Sequence, residues 1–117
     1  MGDTDWHSIS SCSTFQWIQY KFAAPQTVIG YSVTGRQGSL ASADTPSGWN
    51  FEGSLDGSAW TVLDEVTNQV DWTGMGDTRT FGPLTTNTAF MHYRLYFPSS
   101  YIGSRCYIVL GQVQLYA

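Results

Sequence analysis

The stretch that decides the fold is WNFEGSLDGSAWTVLD, residues 49–64. Its two flanks are rich in aromatic and β-branched residues, which favour extended strands. Between the flanks lies Asp56-Gly57, a pair typical of tight turns because these residue types tolerate positive φ angles. The stretch therefore predicts a β-hairpin.

Alternation of apolar and polar residues continues on both sides of this hairpin. Apolar residues at every second position predict strands with one buried face. The residues expected on the buried faces are Ile18, Tyr20 and Phe22; Ile29, Tyr31 and Val33; Tyr93, Leu95 and Phe97; and Val113 and Leu115. Segments rich in Gly, Ser, Thr, Asn and Pro separate these strands and predict turns. Because no segment has a helical period, we expect an all-β sandwich or barrel with no helix longer than about two turns.

Length and composition limit the alternatives. The 117 residues are enough for one domain, spanning residues 1–117, and 42% hydrophobic against 12% charged residues indicates a globular chain. The net charge is −4 with five Lys and Arg, which argues against a nucleic-acid partner and gives no attraction to an anionic membrane. We therefore expect neither nucleic acid nor membrane as a partner.

The hairpin also carries a family resemblance. PSGWNFEGSLDGSAWTVLD, residues 46–64, resembles the P-x-x-W-x-x-x-G-S-x-D-G-x-x-W-x-x-L signature of the discoidin-like, coagulation-factor type C superfamily, which includes the family 32 carbohydrate-binding modules. Other segments are similar to that fold in the same order, namely DWHS (5–8), WIQYKF (17–22), HYRLYF (92–97) and LGQVQLY (110–116). The resemblance implies a jelly-roll β-sandwich of about eight antiparallel strands.

One departure from the family concerns the start of the sequence. Family members usually have one or more strands before the segment that corresponds to DWHS, where this sequence begins. Either the sequence is trimmed or the domain is a shortened variant. A sandwich without its first strands keeps an open sheet edge, and such an edge can pair with another copy to form a homo-oligomer.

The resemblance further implies a sugar site on the loops at one end of the sandwich. His7 in WHS and Arg36 in GRQGS correspond to a histidine and an arginine that contact galactose-type hydroxyls. Asp44, or Ser42, occupies the place of a third polar residue. An imidazole, a guanidinium and a carboxylate together match the donors and acceptors of two neighbouring hydroxyls. Packing offers an alternative, with His7 as a polar cap over the core and Arg36 as a solvated loop residue.

An aromatic ring is expected to cover the apolar face of the sugar. Tyr107 aligns best with this role, although it could equally belong to the core, and Tyr101 and Trp72 are further candidates. Trp72 stands in a predicted loop, where packing explains it least and where exposed tryptophans often mark binding. The remaining central tryptophans are expected in the core or on a sheet face: Trp17, Trp49 and Trp60.

Calcium commonly stabilises this family. Only Asp3 and Thr4 remain of its calcium loop, and Gln112 replaces the glutamate of the last strand. Because calcium prefers several oxygens including carboxylates, we expect weak or absent calcium, with a structural role at most, and no other cofactor.

The two cysteines, Cys12 and Cys106, lie near opposite ends of the sequence. A disulfide between them would stabilise the fold by about 4 kcal/mol. Two unpaired thiols are the equally open alternative.

Catalytic motifs are missing from the sequence. It contains no G-x-S-x-G, H-E-x-x-H or Gly-rich phosphate loop, and most acidic residues stand in predicted turns. We therefore expect a non-catalytic module that binds galactose-type sugars and targets a larger secreted or phage-tail protein to glycan outside the cell. The alternative is a protein-interaction or assembly domain, such as a virion or cell-surface component, without sugar binding.

Overall fold

The computed structural model describes residues 6–7, 16–35, 37–38, 45–85, 88–98 and 109–117. Within these ranges every regular element is a strand, which confirms the all-β prediction. The strands are β1 (Trp6–His7), β2 (Gln16–Gln26), β3 (Gly30–Gly35), β4 (Trp49–Ser54), β5 (Thr61–Val66), β6 (Thr78–Phe81), β7 (Phe90–Phe97) and β8 (Val109–Tyr116). No helix among the described residues is long and apolar enough to cross a membrane.

The strands form two antiparallel sheets of four. Sheet A has the order β1-β8-β3-β6, and sheet B has the order β2-β7-β4-β5. Their facing sides share one core, because period-two alternation turns one face of each strand inward. This core is rich in aromatic residues. The core contains Ile18, Val28, Tyr31, Val33, Trp49, Phe51, Val66, Trp72, Phe90, Tyr93, Leu95, Phe97, Leu110, Val113 and Leu115. The architecture is the β-sandwich that the sequence predicts.

Tyr31 joins the two sheets at the centre of the core. Its hydroxyl accepts a hydrogen bond from Trp49 Nε1 (2.9 Å) and donates one to Asp64 Oδ2 (2.8 Å). Its ring stacks on that of Phe51, with the centroids 4.2 Å apart. Burial raises the pKa of Tyr31 well above its ordinary value, so the hydroxyl stays a donor at any physiological pH.

The predicted hairpin is confirmed, with β4 and β5 paired from Trp49 opposite Val66. Its connection is longer than a two-residue turn, because it spans residues 55–60. Only Gly57 of the predicted pair has a positive φ, 79°. Asp56 contributes its carboxylate, which accepts hydrogen bonds from the backbone N–H groups that follow it.

Two residues depart from the predicted alternation. Ile29 was expected to face the core but is 47% exposed, because β3 begins only at Gly30 and Val28 fills the core instead. The backbone of Ile29 is used in full, with its N–H donating to Tyr116 O and its carbonyl accepting from Leu84 N. Tyr20, on the edge strand β2, lies at the margin of the core and remains 36% exposed.

Candidate functional site

One end of sheet A brings three chain segments together. Strand β8 lies between β1 and β3, with His7 opposite Val109 and Gly35 opposite Leu110. Neighbouring strands are about 4.8 Å apart, so the backbones of His7 and Gly35 lie roughly 10 Å from each other across β8. The ends of β1 and β3 therefore lie beside the start of β8, at one end of sheet A.

The residues predicted to bind sugar belong to these segments by sequence. Arg36 follows Gly35 directly, and Tyr107 precedes Val109 by two positions. The following lie outside the described residues: the side chain of His7, and Arg36, Ser42, Asp44, Tyr101, Tyr107, Cys12 and Cys106. Their predicted roles and the predicted disulfide therefore stay predictions.

The prediction that Trp72 is an exposed, sugar-stacking residue is wrong. Its side chain is only 4% exposed and belongs to the core. One face lies against Gly35, where a Cβ would overlap the indole, and Arg79 Cζ lies 3.9 Å from the ring centroid. The indole N–H donates to Gln69 O at 3.0 Å. Trp72 therefore packs between the core and the last residue of β3.

The loop of residues 67–77, between β5 and β6, is closed by hydrogen bonds between Thr73 and Asp77. Thr73 Oγ1 donates to Asp77 Oδ1 (2.6 Å), and the Thr73 N–H donates to Oδ2 (2.9 Å). These bonds, the hydroxyl bond above all, lower the pKa of Asp77 below its ordinary value because they favour the charged carboxylate. Asp77 is therefore charged at neutral pH, where both hydrogen bonds from Thr73 favour that form.

This loop also holds the chain that leaves β3. Gly38 N–H donates to Gly74 O (2.8 Å), and Gln37 forms a β-bridge with Met75. Gly74 has φ 84°, and a side chain there would collide with the carbonyl oxygen of Gly38. The positions on either side of Arg36 in the sequence, Gly35 and Gln37, are therefore both fixed by the loop.

Sequence reasoning did not identify Met75, which is 85% exposed at this end of the molecule. Two glycines flank it, Gly74 and Gly76, and both have positive φ angles. Such a Gly-Met-Gly sequence in a turn is the one local signal that could have identified it. Met75 adds an exposed apolar group beside the chain segment that contains Arg36.

Only one of the predicted calcium ligands belongs to the described residues. Asp3 and Thr4 lie outside them, and Gln112 is an exposed residue of β8 opposite Thr34. No group of three His, Cys, Asp or Glu side chains comes together in the described ranges. Gln112 offers a neutral amide oxygen, which suits calcium less well than the carboxylate of a glutamate.

Four carboxylates of the described residues serve the fold. Asp56 accepts hydrogen bonds within the hairpin turn, Asp77 within the loop, and Asp64 from Tyr31. Glu52 pairs with Arg94 at 2.6 Å. Each of these acceptors is therefore occupied by a structural donor.

The sequence matches the F5/8 type C domain family over residues 1–105. Comparison with curated protein sequences gives no significant match. Similar solved structures include CpGH89CBM32-5 from Clostridium perfringens, in complex with GalNAc-β-1,3-galactose. It is 16% identical with a TM-score of 0.69, and the match covers 97% of this chain and 75% of that chain.

Two further structures have the same fold. The family 32 carbohydrate-binding module of NanJ from C. perfringens, in complex with galactose, is 13% identical with a TM-score of 0.66. The match covers 97% of this chain and 76% of that chain. Reduced XRCC1 bound to the catalytic domain of DNA polymerase β is 9% identical with a TM-score of 0.69, and the match covers 96% of this chain and 80% of that chain.

Proposed function

Because the chain belongs to the F5/8 type C domain family, we propose that it is a non-catalytic carbohydrate-binding module for galactose-type sugars. The proposed site is the end of sheet A at which β1 and β3 end and β8 begins. We assign to it the side chains of His7, Arg36, Asp44, Tyr101 and Tyr107, and we exclude Trp72 because it is buried.

The observation that carries this proposal is the strand register. His7 and Gly35 stand opposite consecutive residues of β8, Val109 and Leu110, although they are far apart in the sequence. Loops at one end of a rigid sandwich are a common place for binding residues. This register supports a site shared by the loops that follow β1 and β3 and the one that precedes β8.

The chemistry of the assigned side chains suits a sugar with neighbouring hydroxyls. The Arg36 guanidinium donates, the Asp44 carboxylate accepts, and a neutral His7 imidazole does either. The Tyr107 ring would cover the apolar face of the pyranose. Gly35, seated on Trp72, fixes the backbone from which Arg36 extends, so Trp72 acts as a positioning residue.

Two of the structural neighbours support the choice of ligand. One was solved in complex with GalNAc-β-1,3-galactose and the other in complex with galactose. We further infer that the domain works outside the cell as part of a larger protein, such as a secreted or phage-tail protein, which it targets to glycan.

A glycan array probed with the whole chain tests the proposal. We expect binding to glycans with terminal galactose, competed by free galactose. Arg36→Ala should weaken this binding at least tenfold, since a lost hydrogen bond to a charged group costs about 1.5–3 kcal/mol. Lys21→Ala, which removes an exposed cation from sheet B, is the matched control and should bind as the wild type does. Binding that is the same in both variants would contradict the proposal.

A protein-assembly role is the second candidate. One neighbour with this fold was solved bound to a protein, and among the described residues β1 pairs with only two positions of β8. An assembly domain should form a stable oligomer by light scattering and give no signal on the array. A monomer that binds galactose would exclude this role.

A further inference from the structure

Sheet B carries an unusual set of side chains on the face turned away from the core. Its register places Trp17, Tyr96 and Asn50 side by side in one row across β2, β7 and β4. The adjacent row contains Gln19, Arg94 and Glu52. The residues between these rows are core residues, so period-two alternation turns both rows outward.

Arg94 lies at the centre of this face. Its Nε donates to Glu52 Oε1 at 2.6 Å, and the two side chains are only 16% and 8% exposed. Three rings surround the guanidinium, with centroids 4.0 Å (Trp60), 5.0 Å (Tyr96) and 6.0 Å (Trp17) from Cζ. Cation–π attraction holds these rings in fixed positions around the ion pair. We name these four residues, Arg94, Trp60, Tyr96 and Trp17, the aromatic face.

The aromatic face is electrically balanced and rich in hydrogen-bonding groups. Glu52 neutralises Arg94, and the exposed charges at its margin, Lys21 and Glu65, are of opposite sign. The hydrogen bond to Glu52 uses Nε, and the two terminal amino groups of Arg94 carry four further N–H donors. Trp17 is 47% exposed, so part of its ring is open to a ligand.

We propose that the aromatic face is a second glycan-binding surface, which takes a neutral sugar chain. A pyranose ring would stack on the exposed Trp17 ring, and its hydroxyls would accept hydrogen bonds from Arg94, which the Trp60 ring holds in place. An aromatic plane fits the C–H face of a pyranose, and a guanidinium whose charge is already paired suits an uncharged hydroxyl better than an anion. The surface lies on sheet B and does not depend on the site proposed at the end of sheet A.

A protein partner fits this face less well. Trp, Tyr and Arg are common at the centre of a stable protein interface, but Glu and Lys are depleted there. Here an ion pair lies at the centre, and the polar side chains of Gln19, Asn50 and Lys21 interrupt the apolar surface. Sugar chains contain a hydroxyl beside nearly every apolar C–H group, and they match this mixture.

Affinity gel electrophoresis with neutral polysaccharides tests the proposal. The probes are galactomannan, arabinogalactan, xyloglucan and β-glucan, each cast in a native gel. We expect at least one to retard the wild type and Arg36→Ala equally, because Arg36 is not part of the aromatic face. Trp17→Ala should weaken that retardation about fivefold or more, whereas Trp17→Phe should keep most of it because a ring remains. Because Trp17 is an exposed residue of the edge strand β2, the alanine variant should fold, which far-UV circular dichroism checks.

Ile29→Ala is the matched control, because Ile29 is likewise 47% exposed but lies outside sheet B. It should be retarded as the wild type is. Two results would overturn the proposal: no retardation of Arg36→Ala by any of the four polysaccharides, or equal retardation of Trp17→Ala, Trp17→Phe and wild type. Retardation lost only in Arg36→Ala would leave the site at the end of sheet A standing alone.

Discussion

The turn of residues 55–60 and the loop of residues 67–77 are both closed by an aspartate, but they serve different purposes. Asp56 accepts from the N–H groups of Ser58 and Ala59 and from the Ser54 hydroxyl, all within three residues. The longer loop instead reaches the end of β3, where it buries Trp72 against Gly35, and it also pairs with Gln37 and Gly38 beyond that strand. The turn only reverses the chain. The loop instead contacts Gly35 and Gln37, the neighbours in sequence of the proposed sugar-binding residue Arg36.

The largest effect is expected when Trp72 is removed. Trp72→Ala should lower the free energy of unfolding by about 3–5 kcal/mol, because it deletes a buried indole together with its contacts to Gly35 and Arg79. Urea denaturation measures this change. Leu55→Ala, an exposed residue of the hairpin turn, should cost less than about 0.5 kcal/mol. A loss for Trp72→Ala as small as that of Leu55→Ala would contradict the role given to the loop.

Two glycines with similar φ angles sharpen the comparison. Gly74→Ala should destabilise the fold by about 1–3 kcal/mol, because φ is 84° and the new Cβ would collide with Gly38 O. Gly57→Ala, at φ 79°, should cost about 1 kcal/mol, since its Cβ would meet only the His92 ring at 3.3 Å.

Galactose affinity should separate these two variants more clearly than stability does. Gly74→Ala is expected to weaken galactose binding because it displaces the chain next to Arg36. Gly57→Ala is expected to leave it unchanged. Calorimetric titration of both variants, at a temperature where each is folded, measures the difference. Equal affinities would show that the loop does not influence galactose binding.

The smallest effect concerns acid stability. The hydrogen bonds from Ala59 and Ser58 lower the pKa of Asp56 to about 2, against about 3.9 in an unfolded chain. The unfolded chain therefore binds the proton first, so the stabilisation by Asp56 is complete above about pH 4 and is lost as the pH falls toward 2.

Urea midpoints between pH 2 and 5 should therefore fall less steeply for Asp56→Asn than for the wild type. Glu65→Gln, which removes an exposed carboxylate of β5, should retain the slope of the wild type. If Asp56→Asn retains it as well, the turn is not held by its carboxylate.

The same contrast explains what could be predicted from the sequence. The hairpin and most of the core follow from signals that lie within a few residues, such as Asp56-Gly57 and the alternation around Tyr93. The burial of Trp72 does not, because its polar neighbours Asp71 and Thr73 indicate an exposed loop and its partner Gly35 is distant in the sequence. Ile29 was misassigned for a related reason, since the start of β3 depends on pairing with β8.

The residue types of the candidate site could be predicted from the sequence, but which chain segments lie next to each other could be seen only in the fold. His7 and Arg36 were selected by resemblance, and only the register of β8 supplies a physical reason for them to act together. The aromatic face was missed because Trp17, Trp60 and Arg94 come from three separate segments. Their proximity depends on the pairing of β2 with β7 and on the hairpin, which alternation alone does not specify.

The central claim, that a galactose-type sugar binds where β1 and β3 end and β8 begins, is tested most directly by backbone NMR during titration with galactose. The account predicts saturable shifts at His7, at Gly35 to Gly38, at Met75 and at Val109, and Arg36→Ala should need at least tenfold more galactose for the same shifts. Shifts confined to the hairpin turn or to the far end of β8, or no shifts at millimolar galactose, would contradict it.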